Sequence, residues 1–115
     1  MEFSESLKKN VDFQKVYKNG KSYANKYLVL YVLQNGTEKN RVGISVSKKV
    51  GNSIVRHRLT RQVRESYRLH EEEFKSGFDL VFILRAAAKG KLFRDLESAM
   101  LHLMRVHALR KQNEL

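Results

Sequence analysis

The residues whose types and spacing could do chemistry are concentrated between Lys48 and Arg68. They are Lys48, Lys49, Arg56, His57, Arg58, Arg61, Arg64 and Arg68, with Glu65 the single carboxylate among them. A guanidinium is a planar fork that matches phosphate oxygens, so arginine at this density suits the holding of a polyanion. On a helix each residue advances about 100° around the axis. Val55, Leu59, Val63 and Tyr67 then form a buried stripe, with His57, Arg61, Arg64 and Arg68 nearly opposite. Arg56 and Arg58 fall in the first turns, where a long side chain can swing outward. Asn52 is placed to cap the helix, whose free N–H groups add partial positive charge beside Lys48 and Lys49. The plainer alternative is a solvated face, but such faces mix Glu with Lys at i,i+4. The nearly one-signed ridge favours phosphate tracking.

Other constellations offer little catalysis. Glu71, Glu72 and Glu73 are consecutive, so on a helix they point in different directions and make a poor metal cage; a solvated helix end is expected. His102 and His107 are five apart and do not share a face. Neither a paired acid and base nor a phosphate-cradling glycine motif is present. No catalytic residue, metal ligand or protein-bound cofactor is therefore expected. The chain has no cysteine, which removes thiol chemistry and suits a reducing compartment.

These residues need a scaffold. The chain has 115 residues, a length that suggests one domain, and no repeat, linker or proline. Asn10 to Asn19 reads as a short helix, with Asn10 as cap, Gly20 as a left-handed terminator, and Phe13, Val16 and Tyr17 on one face. Residues 27–33 read as a strand, and the chain from Lys21 either extends it or forms a separate short one. Asn35-Gly36 marks a turn in a loop longer than a two-residue hairpin. Residues 41–47 alternate, with Val42, Ile44 and Val46 on one side and Gly43, Ser45 and Ser47 on the other. The second helix runs to about Glu72, and residues 79–84 form a central strand apolar on both faces. Leu92, Leu96, Met100, Leu103 and Val106 give a last amphipathic helix to roughly Arg110. The fold class is α+β, an α/β sandwich with helices on a small mixed sheet. The order of the two ends stays open.

Lys and Arg number 23 against 12 Asp and Glu, giving a net charge of +11 and a pI near 10.1. Such an excess calls for a polyanionic partner. The longest apolar runs fall short of the ~20 residues needed to span a bilayer, so a membrane is the weaker candidate. The first five residues lack the features of a signal peptide, and a cytoplasmic location fits. A helix-turn-helix protein would be mostly helical and would place Asn, Gln or Ser among the arginines, so DNA is not expected.

Residues 42–65, VGISVSKKVGNSIVRHRLTRQVRE, resemble the signature of the bacterial ribonuclease P protein subunit family, roughly V-G-[IL]-S-V-S-K-K-x-G-N-A-V-x-R-N-[RK]-[IL]-K-R-x-x-R. Residues 12–20, Ala24-Asn25, Arg85 and Ala88 extend the likeness over most of the chain. His57 stands where the family has Asn and Thr60 where it has Lys, and Leu84, Ala86 and Ala87 depart from the pattern around Arg85.

The resemblance implies an α/β sandwich similar to a ribosomal-protein domain, with an unusual left-handed β-α-β crossover against the usual right-handed rule. It implies a protein subunit that binds a catalytic RNA, which removes the 5′ leader of precursor tRNA with magnesium held by the RNA. Docking residues would be Lys48, Lys49, Asn52, Arg56, His57, Arg58, Arg61, Arg64 and Arg68. The single-stranded leader would lie in a cleft of Phe13, Tyr17 and Tyr31, floored by Ser45 and Ser47, with Arg85 nearby. Read from spacing alone, Phe13 and Tyr17 at i,i+4 favour plain core over a cleft. The alternative function is a ribosomal or other structural RNA-binding protein with no part in tRNA processing.

Overall fold

A run of apolar residues that must be covered on both faces sets the centre of the molecule. In the computed structural model, which describes residues 3–111, that run is the middle strand of a five-stranded sheet ordered β1-β4-β5-β3-β2. The strands are β1 (Ser4–Ser6), β2 (Lys21–Ala24), β3 (Leu28–Gln34), β4 (Asn40–Val46) and β5 (Phe78–Leu84). Helix α1 (Asn10–Asn19) lies between β1 and β2, α2 (Ser53–His70) between β4 and β5, and α3 (Phe93–Val106) follows β5. β4 runs parallel to β5 and β1 parallel to β4, whereas β3 is antiparallel to both β5 and β2. The sheet is mixed and the class α+β.

Alternation assigns the faces. Leu28 and Leu30 of β3, Val42 of β4, and Leu80, Phe82 and Leu84 of β5 join Leu59, Val63 and Tyr67 of α2 and Leu96, Met100, Leu103 and Met104 of α3 in the main core. Val81 points the other way and packs with Leu7 and Val16, flanked by half-buried Phe13, Tyr17, Tyr31, Leu33 and Ile83. The two helices on one face and α1 on the other make the expected sandwich.

Some expectations are corrected. Asn10 is already helical; the residue before it, Lys9, has the extended cap geometry and no side-chain cap bond. Gly20 is extended, with φ −81° and ψ 161°, and not left-handed. Its role is spatial: a Cβ there would stand 2.6 Å from the Val16 carbonyl oxygen and 2.9 Å from that of Val32. β3 and β4 do not form a hairpin, because β5 inserts between them. α2 ends at His70, two residues early, and Glu71–Glu73 continue as a 3-10 turn. That acidic run is no plain solvated end. Glu71 is buried and accepts from the Phe3 N–H at 3.1 Å, and Glu73 binds both His70 and Arg110. α3 stops at Val106, short of Arg110, and Ala108 takes φ +59° just beyond it. Leu92 and Val106, expected on the buried stripe, are exposed. β1 was not foreseen, since Ser-Glu-Ser carries no strand signal. The order of the two ends, residues 1–2 and 112–115, lies outside the described residues.

Candidate nucleic-acid interface

The α1 side of the sheet forms a shallow trough. Gly43, Val81 and Tyr31 stand side by side in register, as do Ser45, Ile83 and Val29. The Phe13 ring lies directly on Gly43, where a Cβ would come within 2.6 Å of it. Glycine therefore lets α1 sit close to β4. Tyr17 meets Tyr31 edge to face with centroids 5.2 Å apart, and Phe13 follows at 6.3 Å. All three rings are half-buried. They pack against the small cluster of Leu7, Val16 and Val81 and remain partly accessible to solvent, as does Ser45.

α1 is held in place by charge. Arg41 of β4 donates to the Asp79 carboxylate at 2.8 and 2.6 Å and lies 3.6 Å from Asp12 of α1. Hydrogen bonding to Asp79 raises the Arg41 pKa against the opposing effect of burial. Asp79 is buried and also accepts from Asn35 at 3.1 Å. Sequence reading passed over Arg41. Its position in the alternating pattern, on the Gly43 face, was the available signal.

Two of the expected cleft residues sit at its rim. β4 and β5 end together at Val46 and Leu84, which are register partners, so Ser47 and Arg85 emerge side by side. Ser47 is no floor residue: its hydroxyl accepts from the Lys49 N–H at 3.1 Å, shaping the turn into the basic loop. Arg85 is exposed and donates to the Asn25 carbonyl at 2.8 Å, which anchors it to the β2–β3 connection.

The ridge occupies α2 as its period requires. Asn52 caps the helix, accepting from the Val55 N–H at 3.0 Å. Lys48, Lys49, His57, Arg58, Arg61, Arg64 and Arg68 are exposed, and Arg56 is half-buried. They are not equivalent. Arg64 donates to the Ser6 hydroxyl at 3.1 Å, so the ridge touches β1. Arg68 is paired to Glu65 at 2.5 and 3.0 Å, an i,i+3 contact that lowers the Glu65 pKa and raises that of Arg68. Arg68 is thus partly neutralised by the one carboxylate of the run. Among the described residues Arg58 and Arg61 form no ion pair, and Arg56 keeps a buried Nε without a hydrogen-bond partner.

Comparison with known proteins settles the family. The Ribonuclease P family model matches residues 1–108. The chain belongs to the ribonuclease P protein family. It is 55% identical over 111 residues to the ribonuclease P protein component of Lachnoclostridium phytofermentans, covering 96% of each chain. Identity to that of Clostridioides difficile is 50% over 103 residues, covering 89% of this chain and 90% of the relative. The Staphylococcus aureus RNase P protein structure superposes with TM-score 0.87 at 33% identity, covering 94% of this chain and 99% of that one. The Thermotoga maritima protein gives TM-score 0.81 at 34% identity, covering 88% and 96%. Within the ribonuclease P framework, Thr60 is spent on its own helix, donating to the Arg56 carbonyl at 2.9 Å, and His57 remains exposed on the ridge. Among the described residues no cluster of His, Cys, Asp and Glu could hold a metal ion, and no helix is long and apolar enough to cross a membrane.

Proposed function

We propose that this member of the ribonuclease P protein family works, over residues 1–115, as a single RNA-binding unit with two adjoining surfaces. The ridge of α2 and the loop from Lys48 to Asn52 dock on the catalytic RNA. The trough of Phe13, Tyr17, Tyr31 and Ser45, with Ser47 and Arg85 at its rim, receives the single-stranded 5′ leader of precursor tRNA. Leader sequences vary, and aromatic stacking binds unpaired bases with little sequence preference. Bond cleavage belongs to the RNA, with magnesium bound through it, and the protein supplies cations that offset phosphate repulsion. The setting is the cytoplasm, and neither DNA nor membrane is a partner. The left-handed crossover and the likeness to a ribosomal-protein domain belong to the same reading.

The observation that carries this proposal is the continuity of β4 with α2. Ser45 lies on the trough, Ser47 turns the chain, Lys48 and Lys49 follow, and Asn52 starts the arginine helix. One segment joins the aromatic trough to the cationic ridge, so one protein can touch both RNAs at once. Competition binding tests it. The protein should bind ribonuclease P RNA in preference to ribosomal RNA, and the complex should prefer precursor over mature tRNA. Equal or greater affinity for ribosomal RNA would favour the structural alternative.

A further inference from the structure

The flank of α2 that faces α3 carries a feature that phosphate tracking does not use. Ile54 is 79% exposed in the first turn of a helix that, apart from Leu69 near its other end, shows polar and charged side chains to solvent. His57, Arg58 and Arg61 follow it at i+3, i+4 and i+7, so all four share one face. Across from them stands Phe93, the first residue of α3 and half-buried. Ile54, His57, Arg58, Arg61, Gln62 and Phe93 line one open groove of about 780 Å³. Its single carboxylate, Glu65, is engaged by Arg68. Gln62 forms the wall toward Lys89 and Lys91, and its Oε1 is buried without a hydrogen-bond partner among the described residues.

An aliphatic and an aromatic surface set between guanidinium groups matches a nucleotide in its two parts. The base is flat and apolar on its faces, and the phosphate is anionic. Aromatic side chains hold unpaired bases by stacking, and arginine adds both stacking and charge. A paired base has no free face to offer, so the groove fits only an unstacked one. An amide such as that of Gln62 can meet a base edge, and swinging it outward breaks no hydrogen bond of its oxygen.

We propose that the α2–α3 groove captures one unpaired nucleotide of the partner RNA, its base against Phe93 and Ile54 and its phosphate between Arg58 and Arg61. This rests on the reading of α2 as the RNA-docking face and adds a bulge- or loop-specific contact to the phosphate ridge. The geometry makes binding here dependent on RNA shape as well as charge.

The experiment is a salt titration of wild type, Ile54→Ala, Phe93→Ala and Arg58→Ala against ribonuclease P RNA, with thermal melts of each. Phe93→Ala should weaken binding by about five- to 150-fold, the equivalent of one lost stack, at an unchanged salt slope. Ile54→Ala should shift affinity in the same direction. Because Ile54 is exposed, its melt should match wild type, so it decides the matter if Phe93→Ala is unstable. Arg58→Ala should instead flatten the slope. A photo-crosslinker placed at Ile54 should mark an unpaired nucleotide. Unchanged affinity for Ile54→Ala together with crosslinks confined to paired regions would overturn the groove while leaving the ridge intact. A wild type that fails to bind the RNA would overturn the ridge reading and this inference with it.

Discussion

Arg41 on β4 grips Asp79 on β5 through two hydrogen bonds, and the same guanidinium reaches Asp12 on α1, so the trough is braced by one side chain. Asp79 is buried, and removing its partner strands a charge in the interior. Arg41→Ala should cost about 2–3 kcal/mol, the cost of losing a hydrogen-bonded charge partner, with Asn35 still bound to Asp79. Asp12→Asn removes only the outer, partly exposed contact and should cost under about 1 kcal/mol. Urea denaturation of the two variants checks the ranking.

The aromatic trough is best tested by a substitution that keeps an apolar side chain and removes the ring. Tyr31→Leu keeps part of the apolar packing on Val81 and, at a half-buried site, should cost less than the ~3–5 kcal/mol of truncating a buried aromatic. It should still reduce the preference for precursor over mature tRNA by ~1–3 kcal/mol, the worth of one stack. Melts paired with holoenzyme binding to tRNA with and without its leader give both numbers. A stable variant with full leader preference would assign Tyr31 to packing alone.

Charge on the ridge gives a test with opposite signs. Arg61→Ala should lower the salt slope of RNA binding by about 0.7–0.9 units, the share of one phosphate contact. Glu65→Gln should do the reverse, because it releases Arg68 from its pair and makes another cation available. The relevant measurement is affinity against salt concentration for both variants.

Stability should depend on pH through His70. Burial works against its charge, but hydrogen bonds to Glu73 and Glu97 outweigh that and raise its pKa above the ordinary 6.5, with Arg110 on the far side of Glu73. The folded state thus binds the proton more tightly than the unfolded chain. This contribution is fully present below 6.5 and is lost as pH rises through the raised value. His107 acts oppositely: burial lowers its pKa, despite a hydrogen bond to the Leu30 carbonyl, so its contribution is lost as pH falls. Melting temperatures from roughly pH 6 to 8 should fall more steeply for wild type than for His70→Gln.

Much of the fold was legible because period and burial agree. Leu59, Val63 and Tyr67 are buried where the helical period put them, and Val42 and Gly43 face opposite sides as alternation required. What stayed hidden depends on partners distant in sequence. Ser4 shares a hydrogen bond with the Tyr67 hydroxyl at 2.8 Å and Ser6 accepts from Arg64, so β1 forms by docking and not by propensity. Arg68 looked equivalent to Arg61 on the helical wheel, and only side-chain geometry shows it held by Glu65. Ser47 continued the strand alternation but was taken by the turn that follows. The half-buried state of Phe13 and Tyr17 likewise needed the sheet, since their i,i+4 spacing by itself favoured plain core.

The central claim is that this chain assists RNA-borne cleavage without performing it. The direct measurement is cleavage of precursor tRNA at low magnesium by ribonuclease P RNA alone, by the protein alone, and by the two together. The account expects cleavage only by the pair under those conditions, with the protein alone leaving the substrate intact. Sustained cleavage by the RNA-free protein, or no gain when the protein joins the RNA, would contradict it.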